Sequence, residues 1–282
     1  MPTEFPANGG ADVDKLRKRA QGLQSALVWT EAKRTADLLP GHGDDQLLGT
    51  QSLLCTPLFG IAHRGSRERH VVRPLRTQGD NGLIYEGPEL RQEDGLVFMS
   101  LLNVAQDFVP GQLVAFDPQM FCEAVVGTYG GSARSRLRQT IGRLQKGLLV
   151  APEYQVQLVG RFNCPNKGYW SVSLDPDVLQ LFAGAQDVWL GRELRTRLPS
   201  GLATWLYGYI RSQTRLIPLP IEYIRQLCGS VASPKNFRDT LRDALGALTD
   251  AQVIKAQWRL SRQGRVHWMK GPYGYWPPRL DA

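Results

Sequence analysis

Cations that could contact nucleic acid are concentrated in the segment from Ala133 to Lys146, which contains no acidic residue. Arginine can donate two hydrogen bonds to guanine O6 and N7, and glutamine can bind adenine in a comparable way. The short side chains between these cations would allow a close approach to DNA. The candidate DNA contacts of this segment are Arg134, Ser135, Arg136, Arg138, Gln139, Arg143 and Lys146.

The same segment has the spacing of an amphipathic helix. Apolar residues separated by four, three and four positions fall on one side of such a helix, namely Leu137, Ile141, Leu144 and Leu148. The opposite side carries Ser135, Gln139, Gly142 and Lys146. This helix could place its polar face in a major groove while its apolar face packs on the protein. A solvated basic helix without a partner is the alternative interpretation.

A second candidate helix runs from Pro234 to about Leu248. Its apolar seam consists of Phe237, Leu241, Leu245 and Leu248, and its candidate contacts are Lys235, Asn236, Arg238, Asp239 and Arg242. Asp243 adds a second carboxylate to this face. A carboxylate near phosphates is unfavourable unless it accepts a hydrogen bond, for example from cytosine N4, or pairs with arginine. The face is therefore either a selective reader of bases or partly turned towards protein.

Basic residues also occupy a predicted β-hairpin with arms at 253–260 and 265–270. The cations of this hairpin are Lys255, Arg259, Arg262, Arg265 and Lys270. Arg259, Arg262 and Arg265 are candidate contacts to the DNA backbone or the minor groove. The alternative is an edge strand that its charges protect from aggregation. An earlier predicted hairpin has only Arg161 and Lys167 near its tip.

The remaining chemistry-bearing residues do not form a recognisable metal or catalytic site. No Cys-x-x-Cys pair occurs among Cys55, Cys122, Cys164 and Cys228, and the histidines at 42, 63, 70 and 267 do not pattern with them. We expect idle or buried thiols, no metal and no cofactor. No GxxxxGK[ST] loop is present, and no His-x-His pair accompanies Tyr154, Tyr169 or Tyr207 as nicking chemistry would require. The chain is therefore predicted not to be an enzyme.

The charge of the chain is unevenly distributed. Of 34 Lys and Arg and 26 Asp and Glu, residues 131–282 contain 22 and 10, which gives +12 for that part and −4 for residues 1–130. A polyanion-binding second half explains this asymmetry. Hydrophobic residues make up 42% of the 282, which is enough to form hydrophobic cores. No apolar stretch is long enough to span a bilayer and no secretory signal is present, so a cytoplasmic protein is expected.

The elements around these segments are predicted to recur in the same order. Asp117 can cap a helix from Pro118 to Val126, and a glycine-rich turn at 130–132 leads into the basic helix. Strands at 148–150, 155–162 and 169–174 follow. The second half repeats the pattern with a helix at 200–213, a strand at 217–219, a helix at 220–228, the helix that Ser233 caps, and the basic hairpin. This is the order of a winged helix, so the predicted fold class is α+β with two tandem winged-helix domains, each a helix-turn-helix plus a β-hairpin wing.

The predicted domains follow from this pattern. Residues 1–60 form an arm that is helical at Asp14–Leu38 and otherwise a candidate flexible linker or partner-binding piece. Residues 61–175 form the first winged-helix domain, which begins with a hairpin at 69–86 and a helix at 91–108. The helical spacing predicts that this helix buries Leu96, Met99, Leu102 and Val104 on or near one stripe. Pro74 implies an edge position or a bulge in that hairpin. Residues 176–275 form the second domain, and 276–282 form a tail. The tryptophans, Trp170 among them, are interpreted as core or interface residues.

Several segments resemble the TrfA-type plasmid replication initiators, over roughly residues 65–270. They are YEGPELRQEDGLVFMSLL (85–102), LVAFDPQMF (113–121), LFAGAQDVWL (181–190), LPSGLATWLYGYIRSQ (198–213), LPIEYIRQLCGS (219–230) and FRDTLRDALGALTDAQVI (237–254). The resemblance implies a protein that binds double-stranded DNA at directly repeated origin sequences (iterons). It also implies that the protein opens an adjacent AT-rich region and helps to recruit the host replication initiator and the replicative helicase.

The resemblance further implies a homodimer in equilibrium with a monomer, in the bacterial cytoplasm with the nucleoid or plasmid. Some members of the family bind the sliding clamp through a Gln-Leu-Ser-Leu-Phe motif, which Gln46–Leu48 and Gln51–Leu54 match only partly. A winged-helix transcriptional repressor that binds an operator is the alternative function. Direct repeats beside an AT-rich tract near the gene would favour the initiator.

Overall fold

The structure is a computed structural model that describes residues 45–62, 65–75, 82–182, 187–275 and 277. The helix predicted at Asp14–Leu38, the turn of the first predicted hairpin and most of the predicted tail lie outside the described residues. Among the residues described, no helix is both long and apolar enough to cross a membrane.

The first half of the chain begins with a strand and a short helix that precede a larger α/β assembly. Its elements are β1 (Gln46–Thr50), α1 (Gln51–Leu54), β2 (Val71–Pro74), β3 (Ile84–Gly87), α2 (Gln92–Ala105), β4 (Val114–Phe116), α3 (Pro118–Val126), α4 (Gly131–Lys146), β5 (Leu148–Val150), β6 (Gln155–Gln157), β7 (Phe162–Asn163) and β8 (Trp170–Val172).

The second half also begins with a strand and a short helix, after a 3-10 helix at Pro176–Leu181. Its elements are β9 (Asp187–Gly191), α5 (Arg192–Arg197), α6 (Leu202–Ser212), β10 (Leu219–Pro220), α7 (Ile221–Leu227), α8 (Pro234–Asp250), β11 (Arg259–Leu260), β12 (Arg265–His267) and a 3-10 helix at Pro272–Gly274.

The same order of elements and the same sheet order occur in both halves. In the first half β4 is followed by α3, α4 and the β7–β8 hairpin, and the sheet order is β4-β8-β7. In the second half β10 is followed by α7, α8 and the β11–β12 hairpin, and the sheet order is β10-β12-β11. All these pairings are antiparallel. The predicted order of strand, two helices and hairpin is therefore present twice.

Local sequence signals set the ends of these helices. The Asp117 carboxylate accepts a hydrogen bond from the Gln119 amide at 2.8 Å, and Pro118 occupies the first position of α3. Gly127 ends α3 with φ at +80°, a conformation that glycine adopts without steric cost. Ser233 caps α8 through the Asn236 amide at 3.4 Å. Both caps were predicted from the sequence, and the structure confirms them.

The predicted strand at 155–162 is wrong as a single element. Its first part is β6, which pairs with β5 in a four-stranded sheet of order β2-β3-β5-β6, whereas β7 pairs with β8 in the other sheet. The buried residues Leu158 and Val159 lie between the two parts, so the chain passes from one sheet to the other through the core. Pro74 lies in β2, the edge strand of the four-stranded sheet, as predicted.

Helix α2 lies in the middle of the first half and is buried on nearly all sides. Val97, Phe98 and Leu101 are as fully buried as the residues of the predicted stripe, and Leu96 is only half-buried. The helix packs against β1, α3 and α4. The predicted burial of Met99, Leu102 and Val104 is confirmed. Its limitation to one stripe was wrong because several elements that are distant in sequence surround this helix.

Residues 46–60 pack with the core, which corrects the prediction for the part of the arm at 1–60 that the structure describes. Strand β1 pairs antiparallel with β9 of the second half, so that Leu48 lies opposite Trp189. Leu47 and Leu48 are fully buried, and the Trp205 indole donates a hydrogen bond to the Thr56 carbonyl at 3.0 Å. This segment therefore joins the two halves, and one continuous hydrophobic core runs through both.

Candidate nucleic-acid interface

Helix α4 presents an exposed face with no acidic residue. Its exposed candidates are Ser135, Arg136, Arg138, Gln139 and Lys146, and its buried residues are Ala133, Leu137, Thr140, Ile141 and Leu144. The helix carries five cations and no anion, the cations being Arg134, Arg136, Arg138, Arg143 and Lys146. Leu148, which the helical spacing adds to the apolar seam, lies in β5, the strand predicted at 148–150, because the helix ends at Lys146.

Two of these arginines attach α4 to the β7–β8 hairpin. The guanidinium carbons of Arg134 and Arg138 lie 5.1 and 5.7 Å from the ring centroid of Trp170, which is fully buried in β8. These distances permit cation–π attraction to the indole ring. Trp170 is thus a core residue, as predicted, and it orients two candidate contacts.

The turn between β7 and β8 supplies further partners for the same arginines. Arg134 donates hydrogen bonds to the carbonyl oxygens of Pro165 at 2.9 Å and Asn166 at 2.8 Å. Arg138 donates to the carbonyl of Cys164 at 3.3 Å and remains exposed. The turn and the basic helix therefore form one connected surface. Because Arg134 and Arg138 are already held in place, they lose less conformational freedom on binding a ligand than unrestrained arginine side chains would.

Arg143 occupies a different environment from the other cations of α4. Its Nε and one terminal nitrogen donate to Asp94 Oδ1 at 3.1 and 2.6 Å, and its side chain is only 19% exposed. Asp94 lies in α2, is fully buried and also binds Arg67 at 2.6 Å. We therefore reassign Arg143 from the predicted DNA contacts to an internal ion pair, because its charge is already satisfied inside the protein.

Helix α8 presents a face of mixed charge. Lys235, Asn236, Asp239 and Arg242 are exposed, and Arg238 is half-buried. Arg242 binds Asp239 at 2.6 Å, with the two side chains 51% and 58% exposed. Three cations and three carboxylates lie on this helix, namely Lys235, Arg238, Arg242, Asp239, Asp243 and Asp250. A carboxylate on this face was expected either to accept a hydrogen bond from a base or to pair with arginine. Asp239 pairs with arginine.

The hairpin after α8 exposes Arg259, Arg262 and Arg265, as predicted. Its turn is fixed to the adjoining helix because the Ile221 amide donates to the Gly264 carbonyl at 2.8 Å. Lys255 is also exposed, but Lys270 is buried and its ammonium lies 5.0 Å from the ring centroid of Tyr275. The expectation that Lys270 adds to the basic surface was therefore wrong.

Two residues of the inter-helix turns were missed by the sequence interpretation. Val231, between α7 and α8, is 99% exposed, and Tyr129, between α3 and α4, is 38% exposed and receives a hydrogen bond from Arg134 at 3.2 Å. Apolar side chains so placed can contact a thymine methyl group. The signal was the predicted position of both residues in the turns of two equivalent helix pairs.

The cysteines are placed for packing rather than for reactivity. Burial raises the pKa of the Cys55 and Cys228 thiols to about 12 and that of Cys122 to about 11, so these three thiols stay protonated at neutral pH. Cys164 is half-buried. In the part of the chain that the structure describes, no three or more His, Cys, Asp or Glu side chains cluster closely enough to hold a metal ion.

Comparisons with known proteins give one matching family profile and solved structures of similar fold. The family profile described as TrfA protein matches residues 67–267. Domains 2 and 3 of RctB are similar in structure, with a TM-score of 0.52, 12% identity, and coverage of 78% of this chain and 97% of that one. The Pi initiator protein, solved in complex with iteron DNA, has a TM-score of 0.51, 10% identity and coverage of 80% and 98%. No curated protein matches the sequence. At such identities the two structures show a shared fold.

Proposed function

This chain belongs to the TrfA family, and from that premise we propose that it is a plasmid replication initiator that binds directly repeated origin sequences as double-stranded DNA. The observation that carries the proposal is the exposed face of α4, which is free of carboxylates within the helix and lies at the second helix of a strand, helix, helix, hairpin unit. The likeness to the Pi initiator protein in complex with iteron DNA supports the same function.

Each such unit is proposed to be a winged helix, with the β7–β8 and β11–β12 hairpins as wings. The repeated sheet order of strand, second hairpin strand, first hairpin strand supports this interpretation. The domains are proposed at 61–175 and 176–275, and residues 46–60 accompany the second through β9. The short tail and the arm before residue 45 are outside this proposal.

The mechanism we propose is binding and deformation of DNA without a catalytic step, so the chain is not an enzyme. Helix α4 enters a major groove, where Arg136, Arg138 and Gln139 meet base edges or phosphates. Arg262 and Arg265 at the second wing contact the backbone beside it. Because each phosphate that is neutralised releases counterions, affinity falls steeply as salt increases.

Origin opening follows from several bound copies. Adjacent copies bend the repeats, and the energy of the added contacts offsets the cost of bending and favours melting of a neighbouring AT-rich tract. The host initiator and the replicative helicase are the proposed partners, and the homodimer converts to a DNA-binding monomer. Binding of the sliding clamp through residues 46–54 is not part of the proposal, because the leucines of both partial motifs are buried in the core.

Footprinting on the plasmid origin tests the function. We expect a ladder of protected sites at regularly spaced direct repeats, with hyper-reactive positions in the adjoining AT-rich tract at high occupancy. Protection of one inverted operator beside a promoter, without a ladder, would favour the repressor instead. Absence of any sequence-dependent protection would contradict both functions.

Substitution of Arg138 tests the face of α4. Arg138→Ala is expected to weaken binding to the cognate repeat by about 1–3 kcal/mol, because it removes both a charge and a side chain that Trp170 holds in place. Arg197→Ala is the matched control, since Arg197 is 72% exposed on α5, outside both proposed helix-turn-helix pairs. Gel-shift titration measures both variants, and equal affinities would remove Arg138 from the interface.

Substitutions of Arg242 and Asp239, the ion pair on α8, are expected to change DNA affinity in opposite directions. Arg242→Ala is expected to weaken specific binding by about 1–3 kcal/mol. Asp239→Asn removes a negative charge from the same face and releases Arg242, so we expect tighter binding to unrelated DNA and a smaller preference for the repeat. Competition with unrelated duplex measures that preference. If neither variant changes affinity or preference, α8 faces protein rather than DNA.

A further inference from the structure

A cleft of about 370 Å³ opens where α2, α3 and α4 of the first half face α5 and the start of α6. Apolar side chains form much of its wall, including Leu96, Val125, Leu137 and Leu198. Volumes of this size accommodate small organic molecules. Because α4 is one of its walls, the cleft lies directly beside the proposed DNA-binding face.

Arg195 is a buried cation in the lining of this cleft. The residue is 4% exposed. One terminal nitrogen donates to the Gln92 carbonyl at 2.9 Å and to Gln92 Oε1 at 3.1 Å, and the other donates to the Thr204 carbonyl at 3.5 Å. Its Nε has no hydrogen-bond partner among the described residues, and the acceptors found there for its terminal nitrogens are neutral oxygens. Burial lowers the pKa of the guanidinium to about 10, partly offset by Tyr207. A buried charge held by neutral acceptors alone is unfavourable.

The other cations of the cleft differ in how far they are already paired. Arg67 and Arg143 both bind Asp94, and Arg67 also binds Glu93, which is the carboxylate in the lining. Arg136 is exposed and has no ion pair among the described residues. The cleft therefore contains two cations without an anionic partner in the described chain, one buried and one exposed.

We propose that this cleft binds a small organic anion, in which a carboxylate, phosphate or sulfonate group is carried on a compact apolar body. The anionic group pairs with the guanidinium groups of Arg195 and Arg136, and the apolar body contacts Val125 and Leu137. A bare inorganic anion would leave the apolar wall in contact with water, and a neutral apolar molecule would leave the buried charge uncompensated. Both requirements together define the ligand class.

The ligand would also affect DNA binding if the proposed function holds. Arg136 and Gln139 line the cleft and also belong to the exposed face of α4. A bound anion that draws Arg136 towards the cleft removes one cation from the DNA surface. This consequence depends on the proposed function, whereas the site itself does not, so the site is tested without DNA.

Fluorescence titration of the full chain with 8-anilinonaphthalene-1-sulfonate tests the site. We expect saturable binding that 1-naphthoate displaces and that neither 1-naphthamide nor inorganic phosphate displaces. Arg195→Met is expected to weaken binding by about tenfold or more, the loss of one charge-assisted hydrogen bond. Arg197→Met is the control on the same helix, because its exposed side chain pairs with Glu193 outside the cleft lining, and its affinity should equal that of the wild type.

Other outcomes overturn the proposal. Equal displacement by naphthoate and naphthamide would show that no cation takes part, and displacement by inorganic phosphate at similar concentrations would show that the apolar wall takes no part. If Arg195→Met fails to fold by circular dichroism, Arg136→Gln replaces it, because that side chain is exposed. An unchanged affinity of a folded Arg195→Met, or of Arg136→Gln when it serves as the replacement, would refute the site.

Discussion

Replacement of Asp94 by asparagine is expected to lower the free energy of unfolding by about 3–5 kcal/mol, as is usual when one partner of a buried ion pair is removed. Asp94 Oδ2 accepts hydrogen bonds from the Arg67 guanidinium at 2.6 Å and from the Arg91 amide at 2.7 Å. Oδ1 accepts from Arg143 at 2.6 Å. The carboxylate is fully buried, so an amide in its place leaves two arginines without their shared anion and turns one acceptor into a donor.

Glu93→Gln is the matched control for this substitution. Glu93 is the neighbouring residue and binds the same Arg67, but its side chain is 65% exposed. Exposed ion pairs contribute about 0–1 kcal/mol, so the control should remain close to the wild type. Urea unfolding followed by circular dichroism measures both variants. Equal losses for Asp94→Asn and Glu93→Gln would mean that burial does not strengthen the Asp94 cluster.

Arg143 shows why the sequence alone could not distinguish every DNA-contact candidate from a structural residue. Within α4, Arg136 and Arg143 have the same residue type and both flank the polar face. What separates them is Asp94, which is 49 residues away from Arg143 and approaches it only because α2 packs against α4. The spacing of residues within one helix identifies which of them lie outside the apolar seam. The ion-pair partner of a charged residue, in contrast, depends on tertiary packing.

The predicted elements divide in a similar way. Helices α3 and α8 were placed well because proline and a capping side chain mark their starts locally. Strands β1 and β9 were not predicted, since each is short and finds its partner only in the other half of the chain. The cleft around Arg195 could not be predicted from the sequence either, because elements from both halves of the chain form it. Local signals therefore gave the repeated unit, and long-range packing determined how the two units are joined.

Trp170→Ala should have the other large effect, a loss of about 3–5 kcal/mol in the free energy of unfolding, as for other large aromatic residues removed from a core. The indole ring is fully buried and contacts Phe116 and Phe162 edge-on, with ring centroids 6.3 and 5.6 Å away. Its Nε1 donates to the Pro165 carbonyl at 3.2 Å. Removal of the ring would thus open a cavity and release the turn between β7 and β8.

Trp170→Phe separates packing from the orientation of the arginines. It keeps an aromatic face beneath Arg134 and Arg138 but loses the indole nitrogen, so we expect a smaller loss of stability than for Trp170→Ala and nearly wild-type DNA affinity when both are measured well below the unfolding midpoint. Trp170→Leu keeps an apolar side chain but offers no aromatic face for cation–π attraction. For this variant we expect weaker DNA binding even where the protein remains folded.

The comparison of Trp170→Phe with Trp170→Leu is decisive because both leave the charges of α4 unchanged. If stability alone governed binding, the two folded variants would bind the repeat equally in a gel-shift titration at low temperature. If the aromatic face fixes Arg134 and Arg138, only Trp170→Leu loses affinity, because the freed guanidinium groups must be ordered again when DNA binds. Equal affinity of the two would therefore refute an orienting role for Trp170 and leave it as a core residue.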